Sequence, residues 1–329
     1  MEILLSPPVL LTLAVIFVNG WTDAPNALAT AVGTGALRMG RAIALAAVCN
    51  LLGAVLSAAL CPAVAATVLE IGDFSGRAQA QAALCAALLS IVLWAVAAWA
   101  FGIPTSESHA LLAALSGAAV ALQGTLSGVN AAAWGKGWWG LLLSVLLGLV
   151  LGGGLCVLMR LFLGRGCLER AAQRFRHWQV AGAAAMAFWH SPQDGQKLLG
   201  GLLRAGRPPQ LESAPLWEAL LCALVMGAGT AVGGRRIIRA VGQDMTPLMP
   251  YQGFAADTAA VACLLLATAG GLPVSTTHTK TCAVMGAGAA GGGKVDRRIA
   301  GRMVMAWLLT FPACALLGYV LSKWMFHLA

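Results

Sequence analysis

The sequence predicts an all-α polytopic membrane protein with about ten transmembrane segments in a five-plus-five inverted-topology repeat with broken helices. Three observations support this fold class. Of the 329 residues, 59% are hydrophobic and only 10% are charged, whereas soluble domains carry about 25% charged residues. The apolar runs are long and continuous, unlike the short alternating segments of a β-barrel. Finally, polar motifs recur in the same order in the two halves of the chain.

The apolar runs define the segments, because a helix needs about 20 apolar residues to cross a bilayer. Polar stretches interrupt the first and sixth runs, so we expect both of these helices to be broken. The first run lacks the basic start and cleavage site of a signal peptide, so we expect it to be a retained helix. The predicted segments cover residues 5–36, 42–64, 80–101, 104–123, 138–162, 179–203, 216–233, 250–270, 273–291 and 301–325.

Basic residues account for the net charge of +9 and lie mainly in the short connections between apolar runs. This distribution is typical of the positive-inside rule and not of a basic face for nucleic acid, which we exclude as a partner. Placing the most basic connection in the cytoplasm puts both termini outside. The same connection divides the chain into a first repeat (residues 1–163), a linker (164–178) and a second repeat (179–329). Five segments in each half make the repeat inverted.

Four polar motifs carry the internal repeat. Residues 102–109, of the form Gly-x-Pro-x-Ser-x-x-His, recur as residues 271–278 with the Gly, Pro, Ser and His in register. The stretch Asn19–Asn26 interrupts the first apolar run and has a counterpart in His190–Lys197. The two pairs occur in the same order and at nearly the same separation, which indicates a duplicated unit. Ionisable residues at membrane depth are costly, so these motifs are the candidate functional site.

The two Pro-led motifs predict an anion site. Proline favours the first helical turn, so the following Ser and Thr fall where backbone N–H groups have no partner. Such a helix start favours an anion, and neutral hydroxyls add donors without binding it too strongly for release. We expect the two starts to meet near the membrane midplane and hold one oxyanion between them. The hydroxyls belong to Ser106, Ser108, Ser275, Thr276 and Thr277.

The other two motifs predict a cation or proton site. Asp23 and Asp194 would repel an anion unless a cation lies with them. Hard cations prefer carboxylate, amide and carbonyl oxygens, and unwound backbone exposes carbonyls for this purpose. Asn19 and Asn26 in the first half, and Gln193 in the second, complete this candidate set.

Structural roles stay open for several of these residues. Ser108 and Thr277 could instead donate hydrogen bonds between helices. His109 and His278 could orient the site as donors or act as ligands or proton carriers. Asp194 and Lys197 are close enough on a helix to form a structural ion pair.

Three further charged residues lie inside apolar segments. Glu107 and Asp257 are candidate proton sites, and the long side chain of Lys280 could reach an interface by snorkelling. No nucleophile pair or metal-ligand cluster appears, and the nine cysteines are scattered singly, so an enzyme is not predicted. An anion channel built from the same broken helices stays an alternative to a carrier.

The motifs resemble those of the inorganic phosphate transporter (PiT) family. The resemblance rests on Asn-Gly-x-x-Asp-x-x-Asn at residues 19–26, the stretch at 187–197, Pro-Thr-Ser-x-Ser-His at 104–109 and Pro-Val-Ser-Thr-Thr-His at 273–278. It implies a symporter that carries inorganic phosphate across the cytoplasmic membrane of a prokaryote by alternating access. The coupling ion would be sodium or a proton, no cofactor would be needed, and the protein would be a homodimer in the lipid bilayer. Because some relatives carry sulfate, a sulfate permease is the alternative.

The resemblance also implies roles for single residues. Asp23 and Asp194 would hold the coupling ion, including sodium if that is the ion. Asn19 and Gln193 would lie beside them. The supporting residues would be His109, His278, Lys197 and Glu107, of which Lys197 and Glu107 depart from the usual family residues. The residues predicted to contact phosphate are Asn26, Ser106, Ser108, Gln196, Ser275, Thr276 and Thr277.

Overall fold

The computed structural model describes residues 6–60, 70–74, 78–102, 104–202 and 216–328. Regular structure in these ranges is helical, apart from one isolated bridge between Gly72 and Val129. A 3-10 turn (Ala24–Leu28) follows the first helix, and a π-turn (Ala240–Asp244) follows the tenth. We number the helices α1 (Pro7–Thr22), α2 (Ala29–Gly33), α3 (Met39–Leu60), α4 (Ala80–Ala100), α5 (Glu107–Gln123), α6 (Ala131–Leu163), α7 (Arg165–Arg170), α8 (Ala172–Leu202), α9 (Leu216–Gly233), α10 (Arg235–Arg239), α11 (Pro250–Ala269), α12 (Thr276–Ala290) and α13 (Arg297–Phe326).

Each of the ten predicted segments contains helix in its described part, but fewer have the length and composition of simple spans. Within the described ranges, five helical stretches are long and apolar enough to cross a membrane, or six if a bent pair at residues 220–244 is one span. Two of the others are short: α5 has 17 residues and α12 has 15. At 1.5 Å per residue these helices reach about 26 and 22 Å, less than the roughly 30 Å of a hydrocarbon core. The ten-span repeat therefore stays a prediction.

The first segment breaks where the sequence predicts. Helix α1 ends at Thr22, and the chain continues through the 3-10 turn into α2. Pro25 lies in this break and has no backbone N–H to donate within a helix. A proline alone does not end a helix in this protein, since Pro192 and Pro312 lie inside continuous helices. The next residue, Asn26, donates its N–H to the carbonyl of Asp23 at 2.9 Å, which is the tighter 3-10 pattern.

The prediction that residues 190–197 break the sixth segment is wrong, because α8 is continuous from Ala172 to Leu202. Its polar side chains find partners on neighbouring helices instead of requiring unwound backbone. Ser191 donates to the carbonyl of Asn50 on α3 at 2.8 Å, and Gln193 donates to Thr268 on α11 at 2.6 Å. The predicted linker is also helical, since it contains α7 and about the first two turns of α8.

Two predicted helix starts also shift. The sequence places Pro104 and Pro273 in the first turn, whereas α5 begins at Glu107 and α12 at Thr276. Each proline lies in extended chain two residues before an N-cap serine. Ser106 and Ser275 take these caps with extended backbone angles, which is the usual geometry of a serine N-cap.

The helices of the two halves contact each other reciprocally. Helix α1 packs on α9, and α3 packs on α8; likewise α5 packs on α13, and α6 packs on α12. Helix α4 contacts α13, and its counterpart α11 contacts α6. The two short helices therefore lie against the long closing helices of the opposite half.

Glycines allow the closest of these approaches. A Cβ added to Gly117 on α5 would lie 2.0 Å from the carbonyl oxygen of Ala315 on α13. A Cβ on its counterpart Gly286 would lie 2.2 Å from the carbonyl oxygen of Leu149 on α6. No side chain larger than hydrogen fits at either crossing, which is a common means of close helix packing in membranes.

Apolar side chains face outward, while several charged side chains are buried. Among large apolar residues, Phe162 is 82% exposed, and Leu308 and Leu316 are 61% and 64% exposed. Such an extensive apolar surface is that of a protein in contact with lipid, because it far exceeds the patches of soluble monomers. Among the side chains that the structure describes, the buried charged residues are Asp23, Glu107, Asp194, Asp257 and Lys280.

Candidate functional site

The two short helices begin with matching serine caps. The Ser106 Oγ accepts a hydrogen bond from the His109 N–H at 3.4 Å, and the Ser275 Oγ accepts from the His278 N–H at 3.2 Å. In both cases the serine oxygen is the acceptor, so its own hydroxyl proton is not used by this bond. Both helix starts are buried, which strengthens the interaction of their free N–H groups with negative charge.

The helix starts meet each other, as the sequence predicts. Ser108 Oγ on α5 lies 3.5 Å from the carbonyl oxygen of Val274, which precedes α12. Reciprocally, the Thr277 Oγ1 on α12 lies 3.3 Å from the carbonyl oxygen of Thr105, which precedes α5. Each hydroxyl therefore contacts a backbone carbonyl of the opposite half of the chain. To donate to an anion, the hydroxyl would have to turn away from that carbonyl.

The break after α1 brings a carboxylate to the start of α12. Asp23 accepts hydrogen bonds from the Thr277 hydroxyl and, at 3.3 Å, from the Thr276 hydroxyl. The same Thr276 hydroxyl lies 2.9 Å from Oδ2 of Asp194 on α8. One threonine thus joins the two aspartates that the sequence singled out in separate halves of the chain.

The two aspartates repel each other in this arrangement. Asp23 and Asp194 are each 3% exposed, so little water screens their charges. The Thr276 hydroxyl has one proton and can donate to only one of them at a time. His190 Nδ1 lies 3.4 Å from Oδ2 of Asp194 and can add a donor there. A cation or an added proton at this point would offset the remaining repulsion.

Glu107 and two asparagines surround the aspartates. Thr22, the last residue of α1, donates to Oε1 of Glu107 at 3.0 Å, which connects the α1 break to the start of α5. Asn19 and Asn26 are buried at 0% and 2% exposure. The side-chain amide of Asn26 has no hydrogen-bond partner within the described part of the chain. A buried amide without a partner is costly, so Asn26 is a candidate for contact with a bound ion.

The two histidines lie together behind the helix starts. The rings of His109 and His278 are 4.3 Å apart between centroids and nearly perpendicular. His109 stacks on Phe311, and His278 contacts Trp307, both from α13. This aromatic contact favours the interpretation that the histidines orient the helix starts.

Four of the predicted site residues lie on α8, and the structure describes the side chains of two of them. Asp194 points to Thr276, as described above, whereas the Gln193 amide donates to Thr268 on α11. The side chains of Gln196 and Lys197 lie outside the described part of the structure, and so does the predicted Asp194–Lys197 pair.

A buried ion pair beside the site was not predicted. The expectation that Lys280 snorkels to an interface is wrong, because its side chain is 0% exposed and pairs with Asp257 on α11. Lys280 Nζ also donates to the carbonyl of Ala27 at 3.2 Å and to Thr30 Oγ1 at 3.1 Å. Thr30 in turn donates to Asp257 at 2.7 Å. The pair therefore joins α12 and α11 to the chain immediately after the α1 break.

Other contributing residues were also not anticipated. Ser144 on α6 accepts the N–H of Ser275 at 3.0 Å and so holds the start of α12. Thr22 was not selected either, although it lies within the first motif. In the sequence, Ser144 and Thr22 are each visible only as a polar residue inside an apolar run. Such a residue does not indicate which partner it contacts.

The oxygen-rich composition of the site limits which cations suit it. Within the described ranges, no group of three or more His, Cys, Asp or Glu side chains is placed to hold a metal ion. Two carboxylates with hydroxyl and amide oxygens are the ligand types that suit a hard cation such as sodium. Protonation of one carboxylate would serve the same electrostatic purpose.

Comparisons with known proteins agree with this architecture. A family model described as the phosphate transporter family matches residues 19–174 and 165–318. A protein of Bacillus subtilis named "Probable low-affinity inorganic phosphate transporter" is 34% identical over 328 residues, which cover 97% of each chain. A Mycobacterium tuberculosis protein of the same name is 38% identical over 321 residues, covering 94% of this chain and 75% of its own.

A solved structure has the same fold. It is titled "The sodium-dependent phosphate transporter" and superposes with a TM-score of 0.80 at 21% identity, covering 100% of both chains. The resemblance first seen in the four motifs is confirmed by the family model and by relatives more than 30% identical along nearly the whole chain. The chain therefore belongs to the phosphate transporter family and is a membrane transporter, not an enzyme.

Proposed function

We propose that this protein is a secondary carrier that moves inorganic phosphate across the cytoplasmic membrane of a prokaryote together with a sodium ion or a proton. The observation that carries the proposal is the Thr276 hydroxyl between Asp23 and Asp194, at the start of the helix expected to bind the anion. The names of the relatives support phosphate as the substrate. The name of the structural neighbour favours sodium over the proton.

The coupling follows from the electrostatics of the two carboxylates. With both ionised and no cation present, Asp23 and Asp194 would repel phosphate from the adjacent helix starts. A sodium ion coordinated by these carboxylates, or a proton on one of them, removes this barrier. The anion affinity of the site then depends on the cation, which makes the two ions travel together.

Phosphate would dock between the starts of α5 and α12. The donors there are the unpaired N–H groups of the first helical turns, the hydroxyl protons of Ser106 and Ser275, and the amide of Asn26. Ser108, Thr276 and Thr277 would contribute by turning their hydroxyls from protein acceptors to the anion. Neutral donors suit a carrier, since each bond to the anion must also break on release.

The transport site would open to each side of the membrane in turn, as one unit of the protein moves against another. The reciprocal contacts between the halves, and the matching Ser108–Val274 and Thr277–Thr105 pairs, support an inverted repeat. In an inverted repeat the two halves would be related by an approximate two-fold axis, so an exchange of equivalent contacts would open the site to the other side. Assembly as a homodimer, which the resemblance in the motifs implies, is part of the same proposal.

Uptake of labelled phosphate into proteoliposomes tests the function directly. A sodium gradient and a proton gradient are imposed separately, and we expect saturable uptake with only one of them. Uptake with neither gradient, accompanied by a steady electrical current, would indicate the channel alternative. Strong inhibition by excess sulfate would indicate a sulfate permease.

Asp23→Asn tests the site. It keeps the shape and hydrogen-bonding capacity of the side chain but removes its charge, so cation-driven uptake should fall to background. Asp296→Asn is the matched control, because Asp296 caps α13 at the exposed end of the helix. Full cation-dependent uptake in folded Asp23→Asn protein would contradict the proposed coupling site.

A further inference from the structure

A basic cavity of about 370 Å³ lies outside the candidate site. Four arginines from two separate segments line it: Arg235, Arg236 and Arg239 of α10, and Arg302 of α13. Asp244 is the one acidic side chain among its lining residues. The volume lies within the range of small-molecule sites, about 300–1,000 Å³.

The positive charge of this cavity is largely unmatched. None of the four arginines forms an ion pair with a carboxylate within the described ranges. Arg236 is held in place, because it donates to the carbonyl of Ala100 at 3.0 Å and its guanidinium lies 4.7 Å from the centre of the Trp99 ring. The positive-inside rule accounts for basic residues near the cytoplasmic ends of helices. It does not require that they converge on one concave surface.

The cavity adjoins the candidate transport site. Pro104 forms part of its wall. The carbonyl oxygen of the next residue, Thr105, lies 3.3 Å from Thr277 Oγ1, in the contact that joins the two helix starts. A ligand in the cavity would therefore lie close to the chain that precedes α5, on the side where the arginine-rich loops are predicted to be cytoplasmic.

We propose that this cavity is a second anion site, which holds a phosphate group at the cytoplasmic mouth of the carrier. Guanidinium groups bind phosphate oxygens through paired hydrogen bonds and keep their charge at all relevant pH values. The two sites use different donors: neutral hydroxyls and N–H groups lie in the transport site, from which the anion must leave in every cycle, whereas the arginines lie at the mouth, where a phosphate group can be held without being transported. Clefts of one charge also raise the local concentration of the opposite ion.

The same chemistry fits two sources of the phosphate group. One is free inorganic phosphate arriving from the cytoplasm, and the other is the headgroup of an anionic phospholipid in the inner leaflet. Both would place phosphate oxygens against the cavity arginines. The experiment therefore needs an arm for each source.

Protection of arginines from phenylglyoxal, read by peptide mass spectrometry on the wild-type protein, separates these outcomes. Arg38, Arg41 and Arg298 are internal controls, because they are also exposed but do not line the cavity. In phosphatidylcholine vesicles we expect inorganic phosphate, against chloride at equal ionic strength, to slow modification of Arg235, Arg239 and Arg302 severalfold while the controls are unchanged. If the source is lipid, the same selective protection appears without phosphate in vesicles that contain phosphatidylglycerol.

Variants give an independent readout. Arg235→Gln/Arg239→Gln/Arg302→Gln removes three positive charges from the cavity, and Arg38→Gln/Arg41→Gln/Arg298→Gln removes three from outside it. Binding of labelled inorganic phosphate to inside-out vesicles, or the dependence of uptake on phosphatidylglycerol, should fall in the first variant only. Equal protection of all six arginines, or equal behaviour of the two variants, would overturn the proposal. Neither measurement depends on the identity of the coupling ion.

Discussion

Thr276 shows how much one hydroxyl can contribute to this site. Its hydroxyl lies 3.3 Å from Oδ2 of Asp23 and 2.9 Å from Oδ2 of Asp194. The sequence identified all three residues, but it assigned the threonine to the anion and the aspartates to the cation. Their direct contact could not be predicted, because the residues are far apart in sequence and their pairing depends on how the two halves pack.

Thr276→Val tests this bridge, because valine has nearly the same shape and lacks the hydroxyl. We expect cation-driven phosphate uptake to fall by at least about tenfold, which corresponds to the ~1.5–3 kcal/mol of a hydrogen bond to a charged group. Thr276→Ser keeps the hydroxyl and should restore most of the uptake. If the valine and serine variants transport equally well, the hydroxyl has no part in transport.

The Lys280–Asp257 pair permits a second residue-scale prediction. Lys280→Met leaves a buried carboxylate without its partner, which typically destabilises a protein by about 3–5 kcal/mol. We therefore expect a clearly lower thermal unfolding temperature in detergent. Lys280→Met/Asp257→Leu removes both charges and should recover most of that stability, since apolar replacement of a whole pair is often tolerated.

Transport by that double variant separates packing from positioning. Lys280 also holds the carbonyl of Ala27, in the 3-10 turn that follows Asp23. If this contact positions the turn, the stable double variant should require more cation for half-maximal uptake, with a smaller change in maximal rate. A double variant with wild-type cation dependence would show that the pair serves folding alone.

At the scale of elements, helix existence was predictable and helix continuity was not. The apolar runs predict all ten helical segments. A helix that is buried or in contact with lipid must carry a long apolar run, however the helices pack against one another. The same polar pattern breaks α1 but not α8. In α1 the 3-10 turn at Pro25 ends the helix, whereas Ser191 and Gln193 on α8 bond to α3 and α11. Partners of this kind are not visible in one sequence.

Two glycines of α6 test the close packing of α6 on α12. A Cβ on Gly152 would lie 2.4 Å from the carbonyl oxygen of Ala283, whereas nothing lies within 4 Å of a Cβ on Gly154. Gly152→Ala should therefore destabilise the protein by about 1–3 kcal/mol through overpacking. Gly154→Ala should be neutral or stabilising, since alanine favours a helix by about 1 kcal/mol over glycine. Equal unfolding temperatures of the two variants in detergent would mean that α12 does not pack closely on α6.

At the scale of the whole molecule, charge distribution predicts which loops face the cytoplasm. Helix α6 has 33 residues and is about 50 Å long, so it is long enough for its two ends to lie on opposite sides of a bilayer. Cys167 in α7 follows one end and is the one exposed cysteine in the described structure. Ser127, also exposed, precedes the other end. The basic residues around Cys167 predict that this end faces the cytoplasm.

A membrane-impermeant maleimide tests this orientation. Cys49 and Cys61 are first replaced by serine, since Cys49 is partly exposed and Cys61 lies outside the described residues. We expect Cys167 to be labelled in inside-out vesicles and protected in right-side-out vesicles. With Cys167→Ser/Ser127→Cys the pattern should reverse, because a single crossing of α6 separates the two positions. Labelling of both positions from the same side would exclude α6 as a span. A reversed pattern at both positions would place the basic cavity outside the cell, where it would face arriving substrate rather than the cytoplasm.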